Sequence, residues 1–319
     1  STLKSILKEL NNGHTDMYPT LFYSYFYKAY KSAYQIDSSY KPYVDELEKS
    51  SHEQAAYWMN IHKDLNSNDT TNYSYNKGAD EENVSDVFID SISAAVITIK
   101  SFSYDLIEYD IHSLEGFFTE ANKYQNIIID IQDNSGGDTD YWMKHVIPYL
   151  IEDTLSFEIK YAFKNSDRLR LFKPDYFENA FDSIASDLSE LPEELDSNYY
   201  FKKEIIDIYP KANTKYLGDI YLLVNHNVYS SSELLAYFFK ATSFGKVVGE
   251  QTGGDGIGTD PIILALPNSG IIIRFTGEMG LNPNGSANEE KKTVPDIWLE
   301  TTSRSEARRL LLERISSLD

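Results

Sequence analysis

The chain has 319 residues, 41% of them hydrophobic and 14% aromatic, which is enough length and apolar material for a real core and excludes a disordered protein. Its formal net charge of -21 at pH 7 excludes nucleic-acid binding through an electrostatic footprint, which needs Lys and Arg in excess. With no cysteine there is no disulfide, thiolate metal site or cysteine nucleophile, and no apolar run reaches membrane-span length.

The chain opens at Ser1 without Met, as a processed or trimmed product would, so a signal or anchor ahead of it would not be visible. Leu3, Ile6, Leu7 and Leu10 share one helical face. The polar stretch from Asn11 to Asp16 then stops the helix and turns the chain. From Pro19 to about Leu65 the pattern is helical again, with Phe22, Tyr23, Phe26, Tyr27, Tyr30 and Tyr34 along it. That aromatic stripe predicts packing between helices rather than a ligand cage. Residues 66–85 lack periodicity and read as a linker or exposed hairpin.

Beyond this the rhythm becomes strand, helix, strand. Ala95–Ile99 predicts a strand, Ile107–Tyr124 a helix, Asn126–Ile131 a nearly all-apolar central strand, and Tyr141–Ile151 another helix. Residues 153–216 show less order, and the acidic run Asp182–Glu194 reads as a solvated excursion. A strand at 219–224, a helix from Ser231 to Thr242 and a strand at Lys246–Gly249 follow. Ile262–Leu266 and Gly270–Phe275 predict a hairpin, and Ser303–Ser317 a closing amphipathic helix. The expected domains are 1–70, helical; 71–90, a linker or hairpin; and 91–319, an α/β core.

Two segments carry chemistry. Tyr221–Val224 runs through a turn into Ser230-Ser231-Ser232-Glu233 at a helix start, where unpaired N–H groups and the helix dipole can stabilise an oxyanion. Ile127–Ile131 empties into Gln132-Asp133-Asn134-Ser135-Gly136-Gly137, where backbone can approach a ligand closely. Together they read as halves of one acyl-transfer site, although any of the three serines could instead be a simple helix cap. Asp130, Asp133 and Asp138 flank the Gly-Gly turn, but acids at a strand end usually cap turns, and no spacing matches a metal motif. Gly253–Gly258 is glycine-rich yet lacks the Lys-Ser/Thr of a phosphate loop.

The order of motifs resembles the S41 peptidases, the family of tail-specific (carboxyl-terminal processing) proteases and the tricorn core. Asp130–Gly137 is similar to the family's Asp-Leu-Arg-Asn-Asn-Pro-Gly-Gly segment. Val224–Glu233 is similar to its Val-Asn…Thr-Ala-Ser-Ala-Ser-Glu segment, Val248–Gly254 to Val-Gly-Glu-x-Thr-x-Gly, and Val294-Pro295-Asp296 to its closing motif. Gly13-His14-Thr15 matches a further short motif near the start. The resemblance spans roughly residues 90–300 and implies a ClpP/crotonase-like α/β fold behind an N-terminal helical domain. No stretch is long enough for a complete PDZ domain beside the helices.

By this resemblance the nucleophile is Ser230, and the oxyanion donors are the N–H groups of Ser231 and of Gly136 or Gly137. The family's lysine base falls at Asp255, and the tricorn histidine falls near Thr98, so neither base is present. Of the six histidines, His52, His62 and His112 lie in polar, helix-like surroundings. His226 is expected to point away from Ser230, and His145 is a fallback. His14 lies in a tight turn, and a chlamydial relative of the family also draws its histidine from the N-terminal region, paired with a downstream glutamate. Glu289 occupies the comparable place, with Glu290 as its alternative.

The expectation is a serine endopeptidase with Ser230, His14 and Glu289 as catalytic residues. It would act on protein or peptide substrates, with no cofactor or metal, in an extracytoplasmic setting (secreted or at the cell envelope). The other class to weigh is a catalytically silent S41-fold binding or scaffold protein.

Overall fold

The computed structural model describes residues 2–9, 12, 14–18, 23–49, 82–178, 180, 188–195, 198–211, 215–266, 271–301 and 303–317. Among these, no helix is long and apolar enough to cross a membrane. The expected helical stretch 50–65 and the expected linker residues 66–81 lie outside the described residues, as do Leu10, Gly13, Phe22 and the hairpin turn 267–270.

The chain begins with helix α1 (Thr2–Glu9), strand β1 (Asp16–Tyr18) and helices α2 (Tyr23–Ile36) and α3 (Lys41–Glu48). Tyr23, Phe26 and Tyr30 recur at three- and four-residue spacing and so share one face of α2. That face is buried with Tyr43, Val44 and Leu47 of α3, as core packing and not as a cage. The same cluster takes in Phe163, Leu169, Ile262 and Ile272 from much later in the chain.

Strand β2 (Val84–Ile89) turns back through Ser93, left-handed at φ 44°, into β3 (Ala94–Ile99). Helix α4 (Ile107–Ala121) and strand β4 (Asn126–Asp130) follow. Helix α5 (Thr139–His145) is shorter than the pattern implies, giving way to a 3-10 turn at Ile147–Tyr149. Pro148 explains the break, because in a continued helix its ring would clash with the carbonyl of Lys144, four residues back, and it has no N–H for the helix ladder.

Residues 155–208 correct the expectation of weak order. Strands β5 (Leu155–Lys164) and β6 (Tyr199–Ile208) form a ten-residue antiparallel pair, with helix α6 (Asp167–Phe172) between them. The period-two alternation of Leu155, Phe157, Ile159, Tyr161 and Phe163 is the sequence signal for β5.

Strand β7 (Asp219–Val224), helix α7 (Ser231–Thr242) and strand β8 (Lys246–Gly249) match their expected ranges. Strands β9 (Ile262–Ala265), β10 (Ile272–Phe275) and β11 (Glu278–Leu281), the short helix α8 (Asn288–Lys291), strand β12 (Ile297–Trp298) and helix α9 (Arg304–Ser316) complete the chain.

Six strands form the central sheet in the order β12-β8-β7-β4-β3-β2, parallel except for β2. Strand β4 shows why its sequence is apolar throughout. Ile127 and Ile129 pack under α4, α5 and α7, while Ile128 faces the opposite layer with Leu311 and Ile315 of α9. The buried Asp130 at the end of β4 is held by Arg308 of α9, which also donates to Thr98 Oγ1 at 2.7 Å.

Two smaller sheets, β1-β10-β9 and β11-β5-β6, stand beside this core. Pairing of β1 with β10, Asp16 opposite Arg274, carries the N-terminal segment to the carboxyl end of the central strands. That end of a parallel sheet is where loops converge and where ligands bind in folds of this kind.

Candidate active site

Neighbouring parallel strands β4 and β7 deliver two loops to one place. Asn225 Oδ1 accepts from the Asp133 N–H at 2.9 Å, and Asp133 Oδ1 accepts from Asn225 Nδ2 at 2.7 Å and Asn227 Nδ2 at 2.9 Å. These bonds set the Gly-Gly loop against the serine turn.

Ser230 lies at the junction of that turn and α7 with φ 56° and ψ -126°. A non-glycine residue there stores about 1–3 kcal/mol of strain, a feature that clusters at functional sites. Its hydroxyl does not cap the helix. Its two neighbours are committed elsewhere. Ser231 Oγ accepts from Trp142 Nε1 at 3.2 Å, and Ser232 Oγ donates to Asn134 Oδ1 at 2.7 Å. Of the three serines, Ser230 is the one whose hydroxyl is left uncommitted among the described residues.

Gly136 presses on this turn: a Cβ there would come within 2.7 Å of Tyr229 O and 2.9 Å of Ser231 N. With φ at 99° as well, the position accepts only glycine without strain. The Gly136 N–H is already spent, donating to Asn134 Oδ1 at 2.9 Å. The N–H groups of Gly137 and Ser231 have no such partner among the described residues. Asn134, fully buried, is therefore the staple between the two loops, also donating from Nδ2 to Ile99 O at 3.1 Å. The sequence reading did not single it out.

His14 reaches the site from the turn before β1. Its Nδ1 is 2.7 Å from Asp255 Oδ2, and its backbone N–H donates to the same oxygen at 3.1 Å. The imidazole also lies against the ring of Tyr229, centroids 5.1 Å apart, one residue from Ser230. The Tyr229 hydroxyl is a further donor to Asp255 Oδ2. Burial works to raise the Asp255 carboxyl, but the hydrogen bonds and charge of His14 and the Tyr229 hydroxyl outweigh it and hold Asp255 below the usual carboxylate range. No hydrogen bond joins His14 to the Ser230 hydroxyl in this structure.

Glu289 was expected to hold the imidazole. The structure instead puts Asp255 on Nδ1 at 2.7 Å, with Glu289 near enough to feel the Asp255 charge. The reason is geometric: Asp255, left-handed at φ 58°, comes from the loop that runs along the serine turn, pairing Gly254 with Tyr229. Glu289 starts from α8, behind that loop. Burial and the Asp255 charge push the Glu289 carboxyl up to about 8. A carboxylate at the position of a missing lysine, in a chain whose histidine comes from elsewhere, was the signal that could have pointed to Asp255.

The other histidines stay outside the cluster. Exposed His226 pairs with Glu250 at 2.7 Å, His145 Nδ1 lies 3.3 Å from Lys211 Nζ, and His112 is exposed on α4. His52 and His62 lie outside the described residues. Glu233 is fully buried under the serine turn, and its Oε1 accepts from Asn288 Nδ2 at 2.9 Å and Thr293 Oγ1 at 2.7 Å. Asn288 Oδ1 in turn accepts from the Gly256 N–H at 3.0 Å, fixing the Asp255 loop to α7.

A profile of peptidase family S41 matches residues 93–299, more than half of the chain. A crystal structure of a candidate peptidase from Parabacteroides merdae is 17% identical, with 97% of this chain and 81% of that one covered at a TM-score of 0.56. Mature CPAF complexed with lactacystin is also 17% identical; 74% of this chain and 53% of that one are covered at a TM-score of 0.52. The chain thus spans about half the length of CPAF, and at these identities the structural likeness speaks for the fold. No curated protein sequence matches the chain. The family profile, over a core whose serine turn and Gly-Gly loop meet at the ends of β7 and β4, identifies the chain as a member of the serine peptidase family S41.

Proposed function

We propose that this chain is a serine endopeptidase that cleaves protein or peptide substrates through an acyl-enzyme on Ser230. The observation that carries the reading is the uncommitted Ser230 hydroxyl at a strained helix start beside a His14–Asp255 pair. With Asp255 ionised, the proton of His14 rests on Nδ1, directed at Oδ2, and the lone pair is left on Nε2. His14 Nε2 then takes the Ser230 proton as Oγ attacks the peptide carbonyl. The oxyanion is received by the N–H groups of Ser231 and Gly137, with Gly136 allowing the close approach. The same imidazolium returns its proton to the leaving amine, and a water repeats the sequence to release the acid. The Ser230–His14 hydrogen bond, absent from the free chain, forms when substrate excludes water, as catalytic contacts often do. We place this activity outside the cytosol, on the strength of the family resemblance.

A serine-reactive fluorophosphonate provides the test, its adduct mapped by peptide mass spectrometry on the native chain. A single adduct on Ser230 is the expected result. No adduct, while an active S41 peptidase is labelled in parallel, would favour the catalytically silent binding protein.

A further inference from the structure

We propose that Tyr229 is a positioning residue for the acyl-transfer step: its hydroxyl fixes the Asp255 carboxylate, and its ring keeps the His14 imidazole turned toward Ser230. This rests on the Ser230–His14–Asp255 reading above. Asp255 Oδ2 is the common acceptor for His14 Nδ1, the His14 backbone N–H and the Tyr229 hydroxyl. The rings of Tyr229 and His14 lie 5.1 Å apart between centroids, tilted by 44°. One side chain thus meets both members of the pair, and it belongs to the residue directly before the nucleophile.

His14 needs such a hold. It precedes β1, a strand of three residues whose pairing is with β10 alone. A single bond through Nδ1 leaves an imidazole able to tilt about that bond, which would carry Nε2 along an arc away from Ser230. A displacement of about 1 Å at a reacting atom can cost about 10²-fold in rate. The Tyr229 ring closes one side of that arc, and its hydroxyl stops the carboxylate from turning with the imidazole.

Tyr229 can serve as a hold because its own backbone is clamped. Its N–H donates to Asn134 O at 3.3 Å, and it forms a parallel bridge with Gly254 on the Asp255 loop. The Gly253 N–H donates to Val228 O at 2.6 Å beside that bridge. Burial, and then the Asp255 charge, hold the phenol well above its ordinary range, so it keeps the proton it donates. Both contacts are made to the catalytic pair, so their loss is read in kcat and not in KM.

The test compares the wild type, Tyr229→Phe, Tyr229→Ala, Asp255→Asn and the double variant Tyr229→Phe/Asp255→Asn as full chains. Tyr229→Phe, which keeps the ring, should lower kcat by about 3- to 10-fold, and Tyr229→Ala by about 100-fold, with KM within about threefold. In the Asp255→Asn background the same Tyr229→Phe change should cost less than about twofold, because the hydroxyl acts through the carboxylate. Wild-type kcat in Tyr229→Ala would overturn the proposal, as would a loss carried by KM or an equal cost of Tyr229→Phe in both backgrounds. Thermal unfolding supplies a reading that needs no hydrolysis. The Tm losses of Tyr229→Phe and Asp255→Asn should exceed that of the double variant, when summed, by about 2 °C or more. Strictly additive Tm losses would remove the tie between hydroxyl and carboxylate, and the proposal with it. Failure of the tie is thereby distinguished from failure of the peptidase reading, which the fluorophosphonate reports.

Discussion

Alanine at Ser230 is expected to lower kcat/KM for a cleaved peptide by about 10⁴-fold or more, because no other hydroxyl at the turn is free to attack. Ser231 Oγ is held by Trp142 and Ser232 Oγ by Asn134. The fold should not register the change. The Ser230 hydroxyl does not cap α7, and alanine keeps a Cβ at φ 56°, so the strain is neither relieved nor increased. A Tm within about 2 °C of the wild type should accompany the loss. Ser232→Ala should show the opposite profile. It removes the hydroxyl that ties α7 to the Gly-Gly loop, so stability falls by about 1 kcal/mol while measurable hydrolysis persists. Steady-state kinetics with thermal unfolding on the two variants checks both outcomes. Full hydrolysis by Ser230→Ala would remove the nucleophile from the account.

Asparagine at Asp255 is expected to lower kcat by about 10²- to 10⁴-fold, with a much smaller change in KM. The three groups directed at Oδ2 are all donors: His14 Nδ1, the His14 backbone N–H and the Tyr229 hydroxyl. An amide cannot supply the negative charge that stabilises the imidazolium formed when Ser230 gives up its proton. If its NH₂ faces His14, the ring must turn its lone pair to Nδ1 and present an N–H to Ser230, the wrong tautomer for a base. Binding of the peptide backbone does not pass through this group, which is why KM should move little. A kcat within threefold of the wild type would show that Asp255 does not orient the base.

Much of this was legible in the sequence, for physical reasons that also explain what was not. Strands β4, β7 and β8 and helix α7 show up because central parallel strands are apolar on both faces and α7 carries its apolar residues at helical spacing. Strand β5 carries a clear alternation yet was passed over within a polar region, since Glu158, Lys160 and Lys164 break up its apolar run. Ser230 and the two glycines were legible as a strand-to-helix serine and a close-approach turn. His14 depended on the resemblance, because nothing local in an Asn-Gly-His-Thr turn tells where it will dock. The acid behind it was not legible. Asp255 and Glu289 are both carboxylates in polar stretches of sequence, and the choice between them is made by a left-handed residue and by β1–β10 pairing across the whole chain. Asn134 was hidden for a similar reason: its partners at Ile99, Gly136 and Ser232 come from three separate elements.

The claim on which everything else turns is that His14 activates Ser230. It is tested most directly by the rate at which a fluorophosphonate labels Ser230 in the wild type and in His14→Ala, at matched Tm and at pH 7.5. The account predicts labelling slower by about 100-fold or more in His14→Ala, since the uncatalysed serine hydroxyl is a poor nucleophile without its base. Equal labelling rates in the two folded proteins would contradict it and send the search for the base elsewhere.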